Sequence, residues 1–156
     1  MHWSPPPDDH YKANFDTAFF GDSEATGVGI VVRDCSRQII GALRKNIGLV
    51  QSVEMAEAMA AQRAMMFAKE LCLFRAIFER DCSRVLDALK GLGCCRTLFG
   101  HIIDEAKRLG GILRSYLFQH VRQEGNRLAH CLAKKAVLFA NTDIYIYIYM
   151  GLYPRK

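Results

Sequence analysis

The chain has 156 residues, of which 51% are hydrophobic and 24% are charged, a globular composition with enough residues to bury one hydrophobic core. Its formal net charge of +5 suits a nucleic-acid partner but does not establish one. No run reaches the ~20 apolar residues of a membrane helix, and the first residues lack the layout of a secretory signal. We therefore expect an intracellular domain, nuclear or cytoplasmic, whose six cysteines are free thiols that mostly serve as packing residues.

The two ends of the chain are predicted to lie outside the folded domain, which we place at residues 10–140. Residues 1–9 form an extended leader, because three consecutive prolines exclude a helix and favour a polyproline arm. Within this leader, Trp3 either anchors the arm on the domain surface or lies in solvent. Residues 141–156 contain an Ile-Tyr repeat of the kind that an alternating AT tract encodes, so we interpret this tail as a low-complexity stretch beyond the domain.

The segment from Tyr11 to Phe20 is predicted to be the first strand, because aromatic and small residues alternate in it with polar ones. The alternation places Lys12, Asn14 and Asp16 on one face of this strand. An acid in a sheet-forming run is costly unless water, a partner or a metal compensates its charge. Asp16 is therefore either an edge-strand residue that faces solvent or part of a functional site.

Two further strands are predicted at residues 28–33 and 38–45, bounded by turn-forming residues. Three consecutive strands with short links indicate an antiparallel meander. Arg37 falls near the hairpin turn between the second and third strands, where glycine would be easier to accommodate.

A long helix is predicted at residues 53–72, with Ser52 as its N-cap. Glu57 shares one face of this helix with a stripe of alanines, which are Ala60, Ala61, Ala64 and Ala68. Such a stripe indicates close approach to a flat surface, most simply the sheet, so Glu57 is expected on the packed face. The helix dipole explains Glu54 in the first turn, but it does not explain an acid on the packed face.

The segment from Leu73 to Arg80 is predicted to be the fourth strand. Because a helix leads into it, this strand should pair in parallel with an earlier one. Asp81 ends the strand and opens a short helix, CSRVLDALKGLG. Asp81 is either the N-cap of that helix or a metal-binding acid at a strand end.

The rest of the domain is predicted to hold a helix at residues 97–109, a fifth strand at 112–121 and a final helix at about 127–140. Asn126 is the expected N-cap of the final helix, and His130 lies in its first turns. The expected core stripe of this helix consists of Leu128, Leu132, Ala136 and Phe139.

The order β-β-β-α-β-α-α-β-α, with the acids Asp16, Glu57 and Asp81, resembles the ribonuclease H fold. The strings WSPPP and YKANFDTA resemble the opening of its plant branch, which is often found in retroelement-derived, reverse-transcriptase-like proteins. GVGIVVRD resembles the second strand, AEAMAA the first-helix acid motif, ERDCSRVL the third-acid motif and FQHVRQEGNRLAHCLAKKA the last strand and helix. The resemblance covers about residues 3–140 and implies an α/β fold. Its mixed five-stranded sheet, a meander plus parallel strands, is flanked by helices.

The resemblance also implies a two-metal phosphodiesterase that cleaves the RNA strand of RNA–DNA hybrids. Asp16, Glu57 and Asp81 would hold two Mg²⁺ or Mn²⁺ ions about 4 Å apart. We expect a monomer that binds RNA–DNA hybrid and no membrane. Four basic residues are either phosphate contacts or a solvated basic face, and these are Lys12, Arg33, Arg44 and Lys45.

One site position departs from the family pattern. Typical members carry a fourth acid early in the last helix, where this chain has His130, a change that members of the plant branch often share. An imidazole ligates metals but suits softer ions than Mg²⁺, so we expect a weakly held second ion and weak cleavage. Two hypotheses stay open: a metal-dependent hybrid ribonuclease that uses His130 with the three acids, or a non-catalytic nucleic-acid-binding domain or decayed retroelement copy.

Overall fold

The computed structural model describes residues 3–20, 25–81, 100–111, 113–136 and 143–146. Within these residues, six strands form: β1 (Tyr11–Phe20), β2 (Ala25–Arg33), β3 (Ile39–Asn46), β4 (Arg75–Arg80), β5 (Ser115–His120) and β6 (Asp143–Ile146). They are accompanied by the helices α1 (Val53–Glu70), α2 (Gly100–Gly110) and α3 (Arg127–Ala136), the last of which follows a 3₁₀ turn at Gln123–Asn126.

The strands form one mixed sheet in the order β5-β4-β1-β2-β3-β6. Strands β1, β2 and β3 pair antiparallel as a meander, β4 pairs parallel with β1, and β5 pairs parallel with β4. The predicted mixed five-stranded sheet is thus confirmed, including the parallel pairing of the fourth strand. The helices α1 and α3 pack on opposite faces of the sheet. Successive residues of β2 point to opposite faces, so that Ile30 belongs to the core cluster with the alanines of α1, whereas Gly29 faces α3.

The hairpin between β2 and β3 shows how the chain turns without glycine. Arg37 adopts a φ of +67°, the left-handed region that favours glycine. The carboxylate of Asp34 stabilises this turn, since its Oδ1 accepts hydrogen bonds from the backbone N–H groups of Ser36 and Gln38, each at 2.9 Å.

Several predicted features differ from the structure or fall outside the described residues. The short helix after Asp81 and the beginning of the next helix fall within residues 82–99, and residues 137–140 of the final helix are likewise outside. The described cysteines, Cys35, Cys72 and Cys131, are free and exposed, so the expectation that cysteines serve as packing residues is wrong for these three.

The core stripe of α3 agrees with the predicted one at Ala136 but not at Leu128. The structure buries Ala129, Ala133 and Ala136, whereas Leu128 is 38% exposed. The reason lies in β2, where a Cβ added to Gly27 would stand 1.8 Å from the carbonyl oxygen of Ala133. The helix lies so close to these strand glycines that only alanines fit on its inner face.

Replacing Gly29 by alanine is expected to lower the free energy of unfolding by about 2–3 kcal/mol, the upper part of the usual range for overpacking. The added Cβ would stand 2.1 Å from the carbonyl oxygen of Ala129, a backbone atom that cannot move without the helix. Urea denaturation measures the effect. The control is Gly111→Ala, where the nearest atom is 3.3 Å away, and a loss no larger than that of the control would contradict the close approach of α3.

The tail prediction differs from the structure at its beginning. Asp143–Ile146 forms β6, which pairs antiparallel with β3 and extends the sheet by one strand. An edge strand offers unpaired backbone N–H and C=O groups, and an alternating Ile-Tyr segment is a strong β former that can pair with them. The part of the tail that the structure describes is therefore a strand.

The leader is anchored on the domain by Trp3, which decides between the two alternatives for this residue. The indole Nε1 donates a hydrogen bond to Asn14 Oδ1 at 2.9 Å. The guanidinium of Arg33 lies 4.6 Å from the centre of the indole ring, and the ammonium of Lys12 lies 5.4 Å from it. The arm thus covers the polar face of β1 at the end that lies away from Asp16.

Candidate functional site

The structure places Asp16 inside the protein and brings His130 to it. Asp16 is 5% exposed, so it is not an edge residue that faces solvent. Its register partner on β2 is Gly29, over which α3 passes. This close approach brings His130 to the carboxylate, with Nδ1 of the imidazole 2.7 Å from Asp16 Oδ2.

Glu57 reaches the same cluster from α1. Its burial confirms the predicted placement on the packed face, together with the alanine stripe. Ser52 is the N-cap of this helix, as predicted, and its side chain accepts a hydrogen bond from the N–H of Met55. Glu57 Oε1 accepts a hydrogen bond from Arg80 Nη2 at 2.7 Å. Its role as a metal ligand stays a prediction.

Arg80 connects the two acids, and the sequence analysis did not select it. Its Nη2 is 2.7 Å from Glu57 Oε1, 3.3 Å from Asp16 Oδ1 and 3.3 Å from the hydroxyl of Thr17. The residue is 3% exposed, and the centre of its guanidinium lies 5.8 Å from the ring centre of Phe15. The alternation of residues in β4 could have identified Arg80. It places Arg80 on the same face as the buried Phe78, and a cation on an apolar face needs a partner.

Asp81 lies at the end of β4, half-buried, with its backbone carbonyl oxygen 3.0 Å from His120 Nε2. Burial raises the pKa of Asp16 above its usual value, and the charge of Asp81 raises it further. The positive charge of Arg80 acts most strongly in the opposite direction, followed by hydrogen bonds from the Thr17 N–H and with His130. Arg80 is therefore the group that most lowers the pKa of Asp16, but burial outweighs it and the net shift is upward.

The divalent ions that the family resemblance implies do not fit these residues as they are placed. Within the part of the chain that the structure describes, no group of three or more His, Cys, Asp or Glu side chains is positioned to hold a metal ion. Arg80 already contacts the carboxylates of both Asp16 and Glu57. An ion between these carboxylates would meet a buried guanidinium of the same charge sign among its own ligands.

A polar cleft of about 370 Å³ opens beside the cluster, at the 3₁₀ turn and the first turns of α3. It is lined by Gln123, Glu124, Arg127, His130 and Lys134. Arg127 and Lys134 are exposed, so the cleft combines two accessible cations with the imidazole that contacts Asp16. Neither cation was among the predicted phosphate contacts. The face of α3 that carries them lines a cleft only because the helix packs on β2, and this packing cannot be seen in the local sequence.

The four predicted phosphate contacts lie in different surroundings. Lys12 is buried, with Nζ 3.3 Å from Glu79 Oε2 and donating to the backbone carbonyl of Ser4, which excludes it from direct contact with a phosphate. Arg33 is half-buried against Trp3. Arg44 lines a separate groove with apolar residues of α3, and Lys45 is half-buried on β3.

The fold is similar to that of solved ribonuclease H proteins. RNase H1 from the halophilic archaeon Halobacterium salinarum NRC-1 has a TM-score of 0.75 at 22% identity, over 82% of this chain and 97% of that one. The N-terminal RNase H domain of rv2228c from Mycobacterium tuberculosis has a TM-score of 0.73 at 19% identity, over 82% and 98%. LC11-RNase H1, isolated from compost by a metagenomic approach and solved in complex with RNA/DNA hybrid, has a TM-score of 0.65 at 16% identity, over 81% and 96%.

These likenesses show the fold, and together with the acids on β1 and α1 they define a ribonuclease H-like domain. The sequence matches the reverse transcriptase-like family over residues 14–136, and the chain belongs to that family. A comparison with curated proteins finds no match. Among the described residues, no helix has the length and apolar character needed to cross a membrane.

Proposed function

We propose that the chain binds RNA–DNA hybrids through the cleft beside Asp16 and that this binding does not require a divalent ion. The observation that carries the proposal is the pair of exposed cations, Arg127 and Lys134, at the end of the sheet where Asp16 and Glu57 meet. Phosphate groups account for most of the affinity of proteins for nucleic acids, and lysine and arginine are the residues that bind them. The solved LC11-RNase H1 complex with RNA/DNA hybrid supports the hybrid as the ligand.

The charge balance of the site supports binding over repulsion. Without a compensating cation, the carboxylates of Asp16 and Glu57 would repel a phosphate backbone. Arg80 compensates part of this charge from inside the protein, so the cations of α3 face the ligand next to a partly neutralised pair. Glu124 also lines the cleft and opposes this attraction.

An Arg127→Ala/Lys134→Ala variant, which removes both cleft cations, is expected to bind the hybrid about tenfold more weakly. The slope of its log affinity against log salt concentration should fall by the equivalent of about two phosphate contacts. Fluorescence anisotropy of a labelled hybrid in EDTA measures both effects. The matched control is Lys69→Ala/Arg75→Ala, which removes the same charge from exposed positions on α1 and β4. Equal loss in both variants, or no binding by the wild type, would contradict the proposal.

Cleavage of the RNA strand is the second candidate function, supported by the contact of His130 with Asp16 and by Arg80, which contacts both Asp16 and Glu57. It would make the chain a metal-dependent endonuclease that uses Mg²⁺ or Mn²⁺. The same labelled hybrid tests it in either ion, with Asp16→Asn as the control. RNA-strand cleavage by the wild type that is lost in Asp16→Asn would favour this candidate, whereas intact hybrid in both reactions favours binding alone.

Three further features belong to the proposal. The strings WSPPP and YKANFDTA support the plant, retroelement-derived branch of the family. A monomeric state is proposed, and size-exclusion chromatography with light scattering tests it. An intracellular location, nuclear or cytoplasmic, suits a ligand made of nucleic acid, and microscopy of a tagged chain tests it.

A further inference from the structure

We propose that Arg80 is a built-in cation that takes the place of a divalent ion between Asp16 and Glu57, so that the wild-type chain does not bind Mg²⁺ or Mn²⁺ there. The inference is independent of hybrid binding, because it concerns only what neutralises the two carboxylates. It also assigns a latent metal site, which removal of the guanidinium would open.

The contacts of Arg80 support this reading. One nitrogen, Nη2, lies within 3.3 Å of oxygen atoms from Asp16, Glu57 and Thr17, so a single nitrogen of the cationic guanidinium contacts oxygen atoms from β1 and α1. Arginine usually pairs with a carboxylate through two parallel hydrogen bonds, which this arrangement does not use. The arrangement is closer to oxygen ligands converging on one cation.

The burial of the cluster makes the compensation necessary. Arg80, Asp16 and Glu57 are 3%, 5% and 6% exposed, so their charges interact with little screening by solvent. The negative charge of Asp81 also acts on Asp16. Without a cation, two buried carboxylates in contact with the same atom would repel each other strongly, and one of them would take up a proton.

The two remaining nitrogens of the guanidinium, Nε and Nη1, take no part in these contacts. Among the described residues, none accepts a hydrogen bond from Arg80 Nε or Nη1, although both atoms are buried. The polar contacts of Arg80 that the structure describes are therefore concentrated on Nη2, the nitrogen that faces the two carboxylates.

The test compares metal binding by the full chain as wild type, Arg80→Gln and Arg80→Lys. Isothermal titration calorimetry with MnCl₂ and MgCl₂ is run on each protein, together with thermal shift in the same ions. Arg80→Gln keeps a polar side chain but removes the charge, so we expect it to gain saturable Mn²⁺ binding, with an affinity at least tenfold above any background binding of the wild type. Arg80→Lys keeps the charge, so we expect no saturable binding, as in the wild type.

Adding Asp16→Asn to Arg80→Gln should abolish the new binding, because Asp16 is one of the ligands gained. The proposal is overturned if the wild type binds Mn²⁺ saturably and loses this binding in Asp16→Asn, or if Arg80→Gln folds and gains no binding. If Arg80→Gln does not fold, the Mn²⁺ titrations of the wild type and of Asp16→Asn decide whether the wild type binds an ion at Asp16. Hybrid binding in EDTA by the same proteins tests the proposed function separately, so either can fail alone.

Discussion

Replacing Glu57 by glutamine is expected to lower the free energy of unfolding by about 3 kcal/mol, because breaking a buried ion pair leaves the other charge uncompensated. Glu57 Oε1 is 2.7 Å from Arg80 Nη2, and both side chains are buried. Urea denaturation at neutral pH measures the change. The control is Glu70→Gln, whose carboxylate is 45% exposed and pairs with Arg63, and there the loss should stay within about 1 kcal/mol.

Whether Glu57→Gln raises or lowers the free energy of unfolding shows whether Arg80 compensates the charge of Glu57. In a cluster of carboxylates without a cation, removing one negative charge relieves repulsion and stabilises the folded state. We therefore expect Glu57→Gln to be destabilising in the wild type but neutral or stabilising in an Arg80→Met background. Equal losses of stability in the two backgrounds would show that Arg80 and Glu57 are not coupled.

Replacing Glu79 by alanine is expected to cause a loss of similar or greater size, about 3–5 kcal/mol, because it leaves the ammonium of Lys12 buried without its anion. Glu79 Oε2 lies 3.3 Å from Lys12 Nζ, and its Oε1 accepts a hydrogen bond from Asn14 Nδ2 at 3.2 Å. Gln119 also donates to this carboxylate. Thermal and urea denaturation measure the loss, with Glu105→Ala on the exposed side of α2 as the control.

A double replacement separates the pair from the rest of the network. Lys12→Met/Glu79→Leu removes both charges and fills the space with apolar atoms, so we expect it to recover most of the stability lost in Glu79→Ala. A double variant as unstable as the single one would locate the loss in Asn14 and Gln119 rather than in the ion pair.

This network also positions the site. Asn14 Nδ2 donates to Asn126 Oδ1 at 3.3 Å, and Asn126 Nδ2 donates to the backbone carbonyl of Phe15 at 2.9 Å. Asn126, which the sequence predicts as the N-cap of the final helix, thus lies in the preceding 3₁₀ turn and holds the start of α3 against β1. The geometry between His130 and Asp16 depends on this attachment.

The local sequence was sufficient for the strands β1–β5, for the helices α1–α3 and for the faces of two acids. Alternation in residues 11–20 predicted that Asp16 shares a face with Lys12 and Asn14, and all three side chains are buried. The alanines at helical spacing predicted that Glu57 lies against the sheet, because a face of small side chains permits close approach only to a flat partner. The meander and the parallel fourth strand followed from the lengths of the links between strands.

Only the tertiary structure decided which charges meet. Periodicity along a strand or helix tells which face a side chain occupies, but not which residue from another element stands opposite it. Three contacts join residues that are far apart in the chain. Arg80 contacts both Asp16 and Glu57. Lys12 is buried against Glu79, and α3 packs on Gly29. The sequence by itself thus determined the faces of Asp16 and Glu57, whereas the cation that contacts both of them became visible only when β1, α1 and β4 were brought together.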